Sequence, residues 1–448
     1  MKEMLACGGG TPVVSGTLKK KWPIITQEDI EAVVEVLKSG ELGNGHSPNA
    51  VAFGEEFAAY VGAKYGLAVN SGTAALHCAV AAADIGPGDE VITSTYTFLA
   101  SAVAVLHHNG IPIFVDIDPQ TYNIDPSKIK EKINERTKAI MPVHIHGMPA
   151  DMDEINEIAK KYNLIVIEDA AEAHGALYKG KKAGNLGDIA GFSLQSSKNL
   201  MAGEGGIITT NNAALRDKAD LVRMFGEVIE KGKPRAYNAY TMGWNYRLPE
   251  MSAALARTQL RSLDDYNKIA QENADFLTRE LRKIPGVIPP FVPEDRTHTY
   301  YVYRVRLNPE RLGINMPLDK FRYAVQWALD AEGVTTSEWQ NAPVPAQTLF
   351  QEKRGYGKGC PWSCSFSRGE DKIIYNPHDY PETLKILKGS FVLGSIMEGN
   401  VRPPNTMELM KRYVEAFQKV FHNLERVVCL YEKSGEYAEF EKRKIRLF

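Results

Sequence analysis

Leu164-Ile165-Val166-Ile167 places four apolar residues in a row and runs directly into Glu168-Asp169. A strand covered on both faces needs such an unbroken apolar run, and strands of that kind belong to parallel sheets packed between helices. The flanking sequence repeats the pattern. Short apolar runs at 66–69, 90–93, 112–115 and 139–143 read as strands, and helical spacing occupies 73–83, 97–106, 126–135 and 151–162. This alternation predicts an α/β protein with a mostly parallel central sheet in a three-layer arrangement, binding ligands outside the carboxyl ends of its strands. Glu168 and Asp169 stand at such an end.

Before this core, Thr26-Gln27-Glu28-Asp29 has the spacing of a capping box, with Ile30, Val33, Val34 and Leu37 on a helical stripe and Gly40 as the stop. Residues 43–48 read as a glycine-rich turn. Beyond the core, 248–284 reads as long helical material and 285–293 is rich in Pro. Thr299-Tyr300-Tyr301-Val302-Tyr303-Arg304-Val305 then alternates as a strand does. The predicted organisation is a large α/β domain over 1–289 and a smaller α+β domain over 290–448, with a long loop at 351–374. A chain of 448 residues is too long for one simple core.

A net charge of -2 without a basic stripe argues against nucleic acid as a partner. No run approaches the roughly 18 apolar residues that span a bilayer. Residues 1–14 are Gly-rich without the apolar stretch of a signal peptide, and the 5 cysteines are scattered, which does not describe a disulfide framework. The expectation is a reduced, cytoplasmic enzyme.

Four local features carry chemistry, and each has a plainer reading beside it. Asn70-Ser71-Gly72-Thr73 joins a strand to a helix, offering backbone N–H groups and the positive end of a dipole to a phosphate; Ser71 or Thr73 serves equally as a helix cap. Glu168-Asp169-Ala170-Ala171-Glu172-Ala173-His174-Gly175 ends the apolar strand, and Asp169 suits either pairing with a protonated ring nitrogen or capping a helix. Lys198 lies in Ser193-Leu194-Gln195-Ser196-Ser197-Lys198-Asn199-Leu200, just before Gly203-Glu204-Gly205-Gly206. A lysine so flanked can bind an aldehyde and then shuttle a proton, whereas a lone lysine is by default a solvated one. Ser193, Ser196 and Ser197 offer hydroxyl donors to a phosphate. Thr95-Tyr96-Thr97-Phe98 offers an aromatic for stacking on a planar ring, Phe98 in preference to Tyr96, which suits core packing.

Competing motifs are missing from the sequence. There is no Gly-x-x-x-x-Gly-Lys-Ser/Thr and no His-Glu-x-x-His. His144 and His146 share a target only if a bend intervenes, and Cys360-Pro361-Trp362-Ser363-Cys364 has no second ligand pair. No metal is expected.

Taken in order, Asn70 to Leu76, Glu168 to Ala171, Ser193 to Gly206 and Asn245-Tyr246-Arg247 resemble the DegT/DnrJ/EryC1/StrS aminotransferases, over about residues 8–306. The resemblance implies a fold-type-I enzyme using pyridoxal 5'-phosphate (PLP). By motif, Lys198 resembles the Schiff-base lysine and Asp169 the partner of the pyridine nitrogen. Gly72, Thr73 and Ser193 resemble the phosphate cradle, and Phe98 the ring-stacking aromatic. Glu172 occupies a position, near the cofactor's phenolic oxygen, where the family usually has Gln; a carboxylate there repels a phenolate unless protonated. Asn245 resembles the residue that reaches the cofactor phosphate of a neighbouring subunit, which implies a homodimer with shared sites. The implied reaction moves an amino group from glutamate or glutamine to a keto sugar, nucleotide-linked or free, or to a cyclitol ketone. Gln195, where many relatives carry His, resembles the branch acting on cyclitols and the aminohydroxybenzoate synthases. The alternatives are a dehydratase or synthase of the same fold, or a catalytically silent PLP-binding regulator.

Overall fold

The apolar run forms a strand over Ile165–Asp169, at the centre of a seven-stranded sheet in a computed structural model that describes residues 4–43, 46–230 and 232–436. The strands are β1 (Tyr65–Val69), β2 (Glu90–Ser94), β3 (Ile111–Val115), β4 (Thr137–Met141), β5 (Ile165–Asp169), β6 (Ile189–Ser193) and β7 (Gly206–Thr210), in the spatial order β1-β7-β6-β5-β4-β2-β3. Only β7 runs against its neighbours β1 and β6; the other pairings are parallel. Strands β2, β3, β6 and β7 are buried at every position, as a sheet covered on both faces requires. On one face Leu76 and Val80 of helix Gly72–Ala82 pack with Ile167, Ile189 and Ile208. On the other, Phe53 and Phe57 of helix Pro48–Val61 pack with Ala190, Phe192 and Ile207.

The capping box closes as expected: Thr26 and Asp29 each bond the other's backbone N–H at the head of helix Gln27–Ser39. The long helix spans Glu250–Leu281 and packs on Gln27–Ser39 and Pro48–Val61. Its last turns, with Ala270, Ala274, Leu277 and Leu281, enter a second core. That core covers a four-stranded antiparallel sheet of Val287–Ile288, Tyr303–Leu307, Ser390–Leu393 and Thr336–Ser337, and includes helices Leu318–Ala331, Met407–His422 and Leu424–Ser434.

Three predicted elements change. The helix expected over 126–135 stops at Ile129 and tightens into a single turn over Lys130–Lys132, because the charged stretch beyond it offers no apolar stripe to bury. The helix expected from 97 begins at Ala100. The strand expected over 299–305 forms at Tyr303–Leu307, since Thr299 and Tyr301 give their N–H groups to the carbonyls of Gly147 and His146 instead. The stretch 351–374 is largely irregular but anchored. Trp362 is fully buried, its indole N–H donates to Tyr375 Oη at 2.8 Å, and Tyr375 Oη donates to the Pro112 carbonyl at 2.9 Å. Among the described residues no helix is long and apolar enough to cross a membrane.

Candidate active site

The carboxyl ends of β1, β2, β4, β5 and β6 open on one cavity of about 500 Å³. Of the residues singled out from sequence, Gly72, Thr73, Phe98, Asp169, Glu172, Ser193 and Lys198 all line it. Asn245 does not. It is exposed outside the cavity, where its Oδ1 accepts from Arg247 Nε at 2.9 Å.

Ser71 is the cap of helix Gly72–Ala82, its Oγ accepting the Ala74 N–H at 3.0 Å. The cap leaves Gly72 and Thr73 as the first residues of an eleven-residue helix, with their N–H groups at its positive end. A Cβ on Gly72 would stand 2.7 Å from Ser193 Cβ, so only glycine lets the turn lie against the end of β6.

Asp169 ends β5 almost wholly buried. Its Oδ2 accepts from Ser101 Oγ at 2.6 Å and its Oδ1 from the Ala171 N–H at 3.2 Å. Burial pushes its carboxyl above the usual range, and the Ser101 and Ala171 donors and the charge of Lys198 partly offset that. Glu172, also buried, accepts the His146 N–H at 2.7 Å on Oε2 and stands 3.5 Å from Lys198 Nζ through Oε1. Burial raises it as well, against the pull of Lys198. For Lys198 burial opposes the charge, yet Tyr301, Glu172 and Asp169 outweigh it and hold the amine above its ordinary value. The Lys198 ammonium lies 4.0 Å from the Tyr301 ring centroid.

Gln195 lines the cavity with its amide engaged: Oε1 accepts from the Ser197 N–H at 2.9 Å and Ser197 Oγ at 2.5 Å, and Nε2 donates to Ser196 Oγ at 2.9 Å. Ser196 and Ser197 are thus occupied locally, and only Ser193 of the three serines approaches the Gly72 turn. Tyr96 is core, 1% exposed, and Phe98 is 62% exposed at the cavity mouth. His144 and His146 part ways: His144 Nε2 is bonded to Glu168 at 2.9 Å, while His146, at a φ of 60°, turns its ring to Tyr96 Oη at 3.0 Å. Glu168 also accepts three backbone N–H groups, of Gly184, Leu186 and Gly187. Cys360 and Cys364 are free thiols.

Sequence reasoning missed Tyr301, Trp339, Ile396 and Met397, which complete the cavity wall. Tyr301 was read only as part of an alternating strand, and the other three stand in irregular segments without a local motif. A Tyr in the strand-like run after the Pro-rich stretch was the one available signal.

The chain belongs to the DegT/DnrJ/EryC1/StrS aminotransferase family, whose profile matches residues 23–378. The spore coat polysaccharide biosynthesis protein SpsC of Bacillus subtilis (strain 168) is 39% identical over 345 residues, covering 75% of this chain and 85% of SpsC. The dTDP-3-amino-3,6-dideoxy-alpha-D-galactopyranose transaminase of Aneurinibacillus thermoaerophilus is 41% identical over 328 residues, covering 73% of this chain and 85% of that enzyme. The crystallised aminotransferase from Psychrobacter cryohalolentis superposes with a TM-score of 0.77 at 31% identity, over 91% of this chain and 99% of that one. The protein is therefore an aminotransferase with the fold-type-I architecture.

Proposed function

We propose that this aminotransferase carries an amino group from glutamate or glutamine to a keto sugar or cyclitol ketone, using PLP held at the strand ends. The observation that carries the reading is the meeting of Lys198, Asp169 and the Gly72 turn in one cavity. The donor set fits the cofactor: an amine for its aldehyde, a buried carboxylate for its ring nitrogen, and a cradle beside Ser193 that a Cβ on Gly72 would fill. When bound, PLP supplies an electron sink for the pair released as a C–H bond next to nitrogen breaks.

The Gly72 and Thr73 N–H groups and Ser193 Oγ bind the phosphate at the helix end. Asp169, oriented by Ser101, holds a proton on the ring nitrogen. Phe98, at the cavity mouth, would stack on the ring. Lys198 would hold the aldehyde, and its amine would take and return a proton. Glu172 would hold its charge against the Lys198 ammonium through their ion pair. Asn245, exposed on its own chain, reaches the phosphate of a second copy, giving an isologous dimer. The large unit, expected over 1–289, gives its last strand, Val287–Ile288, to the sheet of the smaller unit expected over 290–448, and the Trp362 stretch returns to the first core.

Besides the charged groups, the cavity is lined by the apolar residues Phe98, Trp339, Ile396 and Met397. With Gln195 engaged locally, an acceptor places its reacting carbonyl toward Lys198 and carbon toward these residues. The test is incubation with glutamate or glutamine and a panel of nucleotide-linked keto sugars and cyclitol ketones. The expected result is release of the corresponding keto acid with one class of acceptor aminated. Lys198→Ala should lose transfer by about a thousandfold or more and no longer retain cofactor after borohydride reduction. Full transfer by Lys198→Ala would overturn the reading.

A further inference from the structure

Two side chains from opposite ends of the chain meet behind Lys198. Trp22, 3% exposed, donates its indole N–H to the Ser196 carbonyl at 3.0 Å. Arg402, 1% exposed, donates from Nη1 to the Ser197 carbonyl at 2.6 Å and to Asn199 Oδ1 at 3.1 Å. The two carbonyls leading into Lys198, and the side chain just after it, are thus held by this pair. Asn199 is itself fixed, its Nδ2 donating to Asn267 Oδ1 and to the Thr299 carbonyl.

The same two residues hold the far wall. Arg402 Nη2 donates to the Ile396 carbonyl at 2.6 Å, and the Trp22 backbone N–H donates to the Met397 carbonyl at 2.8 Å. Ile396 and Met397 line the same cavity as Lys198. The guanidinium lies 5.1 Å from the Trp22 ring centroid and 5.4 Å from that of Tyr301, the ring that also faces Lys198. Burial draws Arg402 down to about 10, so it keeps its charge at neutral pH.

Among the described residues Arg402 makes no ion pair; its side-chain acceptors are neutral carbonyl and amide oxygens. A buried cation without a carboxylate is an expensive way to fill space, and an apolar side chain of similar volume would pack at lower cost. What an apolar residue could not do is join two separate loops through one rigid planar fork.

We propose that Arg402, backed by Trp22, is a positioning residue that locks the Lys198 loop and the Ile396–Met397 wall into one body. The distance between the amine and the acceptor's seat is then set by a clasp rather than by two loops moving independently. This rests on Lys198 being the reacting amine, as proposed above.

The test uses the full-length protein with PLP added and the variants Arg402→Gln, Arg402→Lys and Trp22→Phe, followed by hydrogen exchange and by kinetics. In Arg402→Gln, peptides spanning 194–200 and 394–399 should exchange faster together, by about tenfold, while those from helix Gly72–Ala82 stay unchanged. kcat should fall by about tenfold with cofactor affinity unaltered, since the phosphate cradle lies outside the clasp. Arg402→Lys keeps the charge and loses the planar fork, so it should show the same joint loosening to a lesser degree, and it carries the test if Arg402→Gln does not fold. Trp22→Phe loses the indole bond to Ser196 and keeps the backbone bond to Met397, so it should loosen 194–200 and leave 394–399 as in wild type. In the Arg402 variants, loosening confined to one of the two segments, or an unchanged kcat, overturns the clasp. Joint loosening in a protein that transfers no amino group would leave the clasp standing and refute the proposed function instead.

Discussion

The Lys198 amine stands 3.5 Å from Glu172, and the second oxygen of that carboxylate is held by the His146 N–H at 2.7 Å. Burial disfavours charge on all the groups here, but Tyr301, Glu172 and Asp169 together keep the Lys198 ammonium favoured. A lysine whose value is raised on folding contributes stability that is fully present below its unfolded value and lost as pH rises through the folded one. Removing the Glu172 charge should weaken that preference. In cofactor-free Glu172→Gln, Lys198 should lose its proton at lower pH than in wild type, read from the pH profile of trace acetylation at Lys198. A profile that stays in place, or moves to higher pH, would show that Glu172 carries no charge when Lys198 titrates.

Asp169 gives the opposite sign. Its carboxyl is raised by burial despite the Ser101 and Ala171 donors, so the folded state binds a proton that the unfolded state has already lost. Stability should therefore fall as pH rises from the ordinary carboxylate range through the folded value. Asp169→Asn should flatten that part of the profile in cofactor-free protein, measured by denaturant unfolding at a series of pH values. With PLP present the same variant should transfer amino groups about a hundredfold more slowly or worse, because an amide cannot hold the ring nitrogen's proton against a charge. Wild-type rates in Asp169→Asn would remove Asp169 from the proposed site.

Gly72→Ala tests the cradle. The new Cβ would meet Ser193 Cβ at 2.7 Å and Ser193 Cα at 3.1 Å, so the turn or the strand end must shift. Overpacking of this kind costs about 1–3 kcal/mol. Since the shift falls on the phosphate seat, PLP affinity should drop by about tenfold or more, followed by fluorescence titration. Ser193→Gly removes both the clashing atom and a phosphate hydroxyl, so the double variant should lose less than the two single losses combined, a coupling that independent sites would not produce. Equal affinity in wild type and Gly72→Ala would place the phosphate elsewhere.

The order of strand ends was legible because each carries its own local signature. Residues 164–167 had no polar break, and Gly72, Asp169 and Lys198 each followed a strand or preceded a helix. What was not legible was whatever depends on distant segments meeting. Strand β7 runs antiparallel directly after Gly203-Glu204-Gly205, and its start was absorbed into that glycine run. Helix Pro48–Val61 comes after a stretch, 43–48, whose glycines drew the reading away from Phe53 and Phe57, and residues 44 and 45 of that stretch lie outside the described residues. Trp22, Tyr301, Trp339 and Arg402 sit in stretches with no motif, and only the fold brings them to one wall. The charged stretch after Ile129 was overextended as helix because propensity was read without a buried face to support it.

Trp362 is the clearest case of an anchor hidden in a loop-like composition. It is fully buried on the first sheet, with its ring edge-on to Phe350 and Tyr375, and its indole N–H passes through Tyr375 Oη to the Pro112 carbonyl of β3. Truncating a buried Trp to Ala costs about 3–5 kcal/mol, from lost burial and the cavity left behind. Trp362→Ala should thus lower the denaturant midpoint markedly. Trp362→Phe keeps most of the bulk and loses mainly the bond to Tyr375, for about 1 kcal/mol. Neither residue lines the cavity at the strand ends, so enzyme still folded under assay conditions should keep its kcat. A midpoint unchanged in Trp362→Ala would mean that the stretch merely rests on the sheet; a kcat that falls while the protein is folded would mean that β3 transmits its position to Phe98.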